Sequence, residues 1–213
     1  MIYFDVLFAV MISFYGWILP AQDFVFHIDI VTLIENKNLN ELQSVLQYQD
    51  HNIWHETDKD GRTLLHHVCC NDSIEIMKII LQKTHSLIDK HDNYGKTALM
   101  YASVDDNEEM VELLLQHNAD VNIKNNDRVT PLIYASSYDS VGSVKLLLEH
   151  QANVNNQDRF GNTALMGAAR NNNKAIVKLL LQYRADVNLR DQDGNKACDH
   201  VYGEVRDLIV KNR

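Results

Sequence analysis

Proline occurs only at Pro20 and Pro131 in 213 residues. The residue that most disrupts helix interiors is therefore nearly absent, which suits a helical protein. Three cysteines, Cys69, Cys70 and Cys198, do not make a disulfide framework, and the adjacent pair is poorly placed to bridge itself. Runs of Lys and Arg never exceed two or three residues, and the formal charge is −9. Nucleic-acid phosphates demand a concentrated basic surface, so nucleic acid is excluded as a partner. Catalytic signatures are also missing. The chain has no Gly-x-Ser-x-Gly, no phosphate-binding glycine loop and no His-Glu-x-x-His. No catalytic residue, cofactor or metal is expected, and the chain is read as non-enzymatic.

What the chain does have is a period. Thr63, Thr97, Thr130 and Thr163 are spaced by 34, 33 and 33 residues, and Lys196 stands 33 further on. Two positions earlier stand Gly61, Gly95, Gly161 and Gly194, with Arg128 breaking the series. An Asx residue precedes each of these by three: Asp58, Asp92, Asn125, Asp158 and Asp191. A second marker keeps the same step, as Ala119-Asp120-Val121-Asn122, Ala152-Asn153-Val154-Asn155 and Ala185-Asp186-Val187-Asn188. Internal repetition on this scale is the signature of a stacked repeat architecture.

Residues 158–188 show the whole unit. Asx-x-x-Gly is turn chemistry, because Asx side chains cap local backbone and glycine accepts positive φ. Thr163 then caps a short helix, Ala164 to Arg170, with a narrow inner face at Leu165, Ala168 and Ala169. An Asx-rich break follows at Asn171-Asn172; the other copies have Asn71-Asp72, Asp105-Asp106 and Asp139. These residues tolerate the left-handed conformation that ends a helix. The second helix carries the stronger apolar stripe, Ile176-Val177 with Leu179-Leu180-Leu181. Gln151 and Arg184 stand where a left-handed glycine would be cheaper, at an expected cost of about 1 kcal/mol each. Asn118 holds the same place in the preceding copy.

Period, order and motif together resemble the ankyrin repeat. The T-P-L-H-x-A pattern of that family is split between Thr130-Pro131-Leu132 and Thr63-Leu64-Leu65-His66. The resemblance covers roughly residues 23–211. It implies an all-α solenoid of stacked helix-turn-helix units with β-hairpin fingers, and a binding role, usually for another protein. It also implies that finger tips and first helices line the binding face. The partner-binding candidates on the fingers are then Lys59, Asp60, Arg62, Asn93, Tyr94, Lys96, Asn126, Asp127, Arg128, Arg159, Phe160, Gln192 and Asp193. The first helices add Val104, Ser137, Tyr138, Arg170 and Asn171. Tyr94, Tyr138, Phe160 and the arginines are the expected anchors, because aromatic and Arg side chains dominate binding hot spots.

Four segments follow. Residues 1–21 form an apolar leader, 22–57 a degenerate first repeat, 58–190 four clear repeats and 191–213 a clipped terminal unit. Val6 to Leu19 carries no charge. Its fourteen residues fit a signal-peptide core better than a membrane span of about 20 residues. The n-region carries Asp5 and no Lys or Arg, so an uncleaved membrane anchor and an apolar helix packed on the first repeat remain open. The leader gives membrane contact a route through residues 1–21. It points to a secreted, periplasmic or membrane-anchored protein, with a cytoplasmic one as the alternative. The rival reading of function is an exported or membrane-tethered structural or effector protein in which the leader sets the role.

His66, His67, Cys69 and Cys70 contain zinc-ligand residue types. Four such side chains within five residues of one helix point around its whole circumference, whereas a tetrahedral site needs them to converge. A structural role is expected for all four, with Cys70 the one thiol on the outer side.

Overall fold

A computed structural model describes residues 57–83 and 86–212. The leader, almost all of the degenerate first repeat, Thr84, His85 and Arg213 fall outside those residues.

Nine α-helices and one 3-10 helix are present among the described residues, with no strand. In chain order they are α1 (Leu64–Cys70), α2 (Ile74–Lys83), α3 (Ala98–Val104), α4 (Glu108–Gln116), α5 (Pro131–Ser137), α6 (Val141–Glu149), α7 (Ala164–Arg170) and α8 (Lys174–Gln182). A 3-10 turn (Ala197–His200) and α9 (Gly203–Val210) complete them. First helices α1, α3, α5, α7 and the 3-10 turn pack on one another in sequence. Second helices α2, α4, α6, α8 and α9 do the same behind them.

The layers follow from the side chains. The buried stripe of the second helices repeats as Met77, Val111, Val144 and Val177, then as Ile80, Leu114, Leu147 and Leu180. One unit cannot cover this stripe alone; its neighbours do, so the core is continuous along the array. At one first-helix position the residues are Cys69, Ser103, Ser136 and Ala169, all small and buried. Small side chains there let successive first helices approach closely. Cys69 belongs to that series, and burial pushes its thiol well above the ordinary range.

The first helices of all four clear units, and the second helices of the last three, end in the left-handed region. Asp72, Asp106, Asp139 and Asn172 have φ of 55°, 54°, 63° and 55° after the first helices. Asn118, Gln151 and Arg184 have φ of 64°, 67° and 63° after the second. The following amides of Ala119, Ala152 and Ala185 reach back to Leu114, Leu147 and Leu180 O at 3.1, 2.9 and 2.9 Å. That closes a Schellman motif on orphan carbonyls. At the N-termini Thr130 and Thr163 Oγ1 accept from Ile133 and Met166 N–H. The equivalent Thr97 hydroxyl is buried with no hydrogen-bond partner.

Candidate binding face

Five fingers precede the first helices, at residues 58–62, 92–96, 125–129, 158–162 and 191–195. In the first, the Gly61 amide donates to Asp58 O and the Asp58 amide to Arg62 O, both at 3.0 Å. The second rung of this hairpin comes from a side chain: Asp58 Oδ1 accepts from the Asp60 and Arg62 amides at 2.8 Å. Asp92, Asn125, Asp158 and Asp191 repeat the arrangement. An Asx side-chain oxygen therefore substitutes for part of the ladder, and the fingers are tight turns rather than strands.

The fingers are stacked by hydrogen bonds in one register. The amides of Asn93, Asn126, Arg159 and Gln192 donate to Asp60, Tyr94, Asp127 and Phe160 O, at 2.9, 3.2, 2.9 and 2.8 Å. Side-chain amides add a second link. Asn93 Nδ2 donates to Lys59 O, Asn126 Nδ2 to Asn93 O and Gln192 Nε2 to Arg159 O. A Cβ on Gly61 or Gly95 would meet the next finger's asparagine at 2.5 Å, so glycine is required under those side chains as well as for φ. Arg128 takes the third such place at φ 61°. The next finger there presents Arg159, which has no side-chain amide to lay across it and pairs its guanidinium with the Asp127 carboxylate at 2.7 Å instead.

A further series runs along the fourth residue after each first-helix threonine position: His67, Tyr101, Tyr134, Gly167 and His200. Sequence reasoning missed it, although reading the 33-residue step in register at that position brings out the rings. Each ring contacts the Asx of its own finger. His67 Nε2 lies 3.1 Å from Asp58 Oδ2, and Tyr101 donates its hydroxyl to Asp92 Oδ2 at 2.8 Å. Asn125 Nδ2 donates to the Tyr134 hydroxyl at 3.0 Å, and His200 Nε2 lies 2.9 Å from Asp191 Oδ2. Burial first, and the Asp92 carboxylate second, push the Tyr101 hydroxyl up to about 12. Gly167 has no ring to offer. There Asn162 Nδ2 donates to Asp158 Oδ2, and Arg170 binds Asn162 and lies 3.7 Å from Asp191.

This frame sorts the candidate residues. Tyr94 and Phe160 stand at equivalent finger tips and Tyr138 caps α5; they are 59, 47 and 61% exposed. Arg159 stacks over the Phe160 ring at 4.5 Å. Lys59 and Arg128 are exposed, while Asp60, Arg62, Lys96 and Asp127 are half-buried. Asn93 and Asn126 are exposed but committed to the finger stack, and Asn171 Nδ2 is committed to Ser137 O at 2.8 Å. Val104 is half-buried; Ser137, Gln192 and Asp193 are exposed. Phe160, Asn162, Arg170, Asp191, Gln192, Asp193 and His200 line a cleft of about 520 Å³ between the last two fingers.

Cys70 lies on the outer side of α1, with its thiol pushed up by partial burial. His66 is fully buried, and both its ring nitrogens face hydrogen-bond partners at Thr63 and Lys96 O. The His66-to-Cys70 side chains thus point to different neighbours, and no described group of three or more His, Cys, Asp or Glu could hold a metal ion.

The family model for ankyrin repeats in three copies matches residues 30–125 and 119–191, most of the chain. The chain belongs to the ankyrin-repeat family. Its match begins within the stretch read from the sequence as a degenerate first repeat. No curated protein matches the chain at a significant level. Ankyrin repeats are in general protein–protein interaction modules and are typically non-enzymatic, so this array is built of units whose usual role is to bind protein. Among its described residues no helix is long and apolar enough to cross a membrane.

Proposed function

We propose that the protein is a non-catalytic module that binds a protein partner through its finger tips and first-helix face. The observation that carries this reading is the placement of its large exposed rings. Of the five exposed rings among the described residues, Tyr94, Tyr138 and Phe160 stand at finger tips or at the end of a first helix, and Tyr183 and Tyr202 flank second helices. Rings held on a stiff frame lose little conformational freedom on association, which is where their contact area becomes affinity. The backbone hydrogen bonds between fingers fix that frame before any partner arrives.

Combined replacement of Tyr94, Tyr138 and Phe160 by Ala should weaken binding of a partner captured by the wild-type chain at least about 100-fold. The exposed rings leave the core untouched, so thermal unfolding should change little. Unchanged affinity in this triple variant would remove the face from consideration.

A further inference from the structure

Cations on this face fall into two groups. Towards the C-terminal end they are paired: Arg159 with Asp127 at 2.7 Å, and Arg170 near Asp191 at 3.7 Å. Towards the other end Arg62 and Lys96 have no carboxylate within ion-pairing distance among the described residues. They occupy the same position of the first two fingers, where later fingers carry Val129, Asn162 and Asn195.

Both cations rest on the same aromatic wall. The Arg62 guanidinium lies 5.7 Å and the Lys96 ammonium 5.5 Å from the Tyr101 ring centre. Lys96 also lies 5.1 Å from the Tyr134 ring centre, and Tyr138 continues the wall 6.4 Å beyond Tyr134. Stacking holds both charges against the Tyr101 ring without neutralising them. Arg62 Nε is buried and has no hydrogen-bond partner. Asp92, the carboxylate beneath the wall, is buried and saturated by the Tyr94 and Lys96 amides and the Tyr101 hydroxyl. Asp58 and Asp60 are close enough to favour the Arg62 cation but too far to pair with it. The Tyr134 hydroxyl accepts from Asn125, which leaves its own proton to offer.

We propose that Arg62, Lys96 and the Tyr101–Tyr134 wall form a receptor site for a carboxylate side chain from an acidic segment of the partner. This rests on the reading that the finger face is where the partner binds. Carboxylates of that segment would take N–H groups of the Arg62 guanidinium and of the Lys96 ammonium as charge-assisted hydrogen bonds, while their own methylenes lie on the rings. The chain's net charge of −9 repels acidic chains in general, so attraction is confined to this spot and serves specificity.

The test uses the full chain and a capped 12-residue peptide of alternating Glu and Ala. An otherwise identical Gln peptide and a 12-nucleotide single strand serve as comparisons. The Glu peptide should bind at least about tenfold tighter than the Gln peptide by fluorescence anisotropy. It should also shift the Arg62 Nε–H resonance in ¹⁵N spectra. The Arg62→Gln, Lys96→Gln double variant should lose about tenfold in affinity with unchanged thermal unfolding, and Lys78→Gln with Lys178→Gln should lose nothing. Equal affinity for the two peptides, no binding of either, equal loss in the Lys78 and Lys178 control, or preference for the nucleotide strand would each overturn the proposal. None of these results bears on Tyr94, Tyr138 and Phe160, so the wider reading would still stand or fall on the triple variant.

Discussion

Gln151 and Arg184 are ordinary L-residues held at φ of 67° and 63°, where the Cβ crowds the following carbonyl. Both are exposed, and neither side chain is needed for the turn, because the capping bonds come from backbone amides. Replacing each with glycine should raise the free energy of unfolding by about 1 kcal/mol per site, read as a higher denaturant midpoint at unchanged slope. A fall in midpoint would mean that the side chains stabilise the array in a way the backbone does not reveal. Arg128 is a different case. Its φ of 61° is matched by the loss of the amide side chain on the next finger, so the two changes belong together. Cys69 likewise reads as one of four small buried residues rather than as a ligand.

At the scale of the element, α1 depends on a histidine used as a cap. The Thr63 amide donates to His66 Nδ1 at 3.0 Å, so Nδ1 carries no proton; Nε2–H then donates to Lys96 O at 3.0 Å. The ring is neutral and ties the first helix of one repeat to the finger of the next. Burial depresses its pKa below the ordinary 6.5. The unfolded chain therefore takes up the proton first as pH falls. The contribution of His66 is fully present above about pH 6.5 and is lost as pH drops through the lowered folded value. The wild-type chain should lose stability from about pH 6.5 downward more steeply than His66→Gln, by at most about 1.4 kcal/mol per pH unit for the one proton. Parallel pH profiles in denaturant melts would contradict the neutral-cap assignment. The helix layout, the left-handed Asx breaks and the threonine cap positions were legible in the sequence because each rests on local chemistry within a few residues. The division of labour on the fingers was not. Asn93, Asn126 and Asn171 look like free polar tips in sequence, yet their partners are backbone carbonyls 33 or 34 residues away. Tyr101 and Tyr134 were missed because each reads as one more ring beside a core stripe until the fingers place an Asx against it.

At the scale of the molecule the described residues form a quasi-one-dimensional array, in which each unit packs chiefly on its neighbours. Its rigidity is shared among repeated small links: one backbone bond between successive fingers, Asx ladders such as Asn122 Oδ1 accepting from Asn153 N–H, and the continuous leucine core. Such a frame makes one long face available at once, with rings and cations fixed in order along it. The measurement that tests this most directly is site-specific photo-crosslinking of the full chain in the cells that express it, followed by mass spectrometry of the captured proteins. Crosslinkers replacing Tyr94 and Phe160 should capture the same partner, and one replacing Lys178 on the exposed side of α8 should not. Capture from Lys178 alone, or equal capture from all three positions, would contradict the assignment of binding to the finger face.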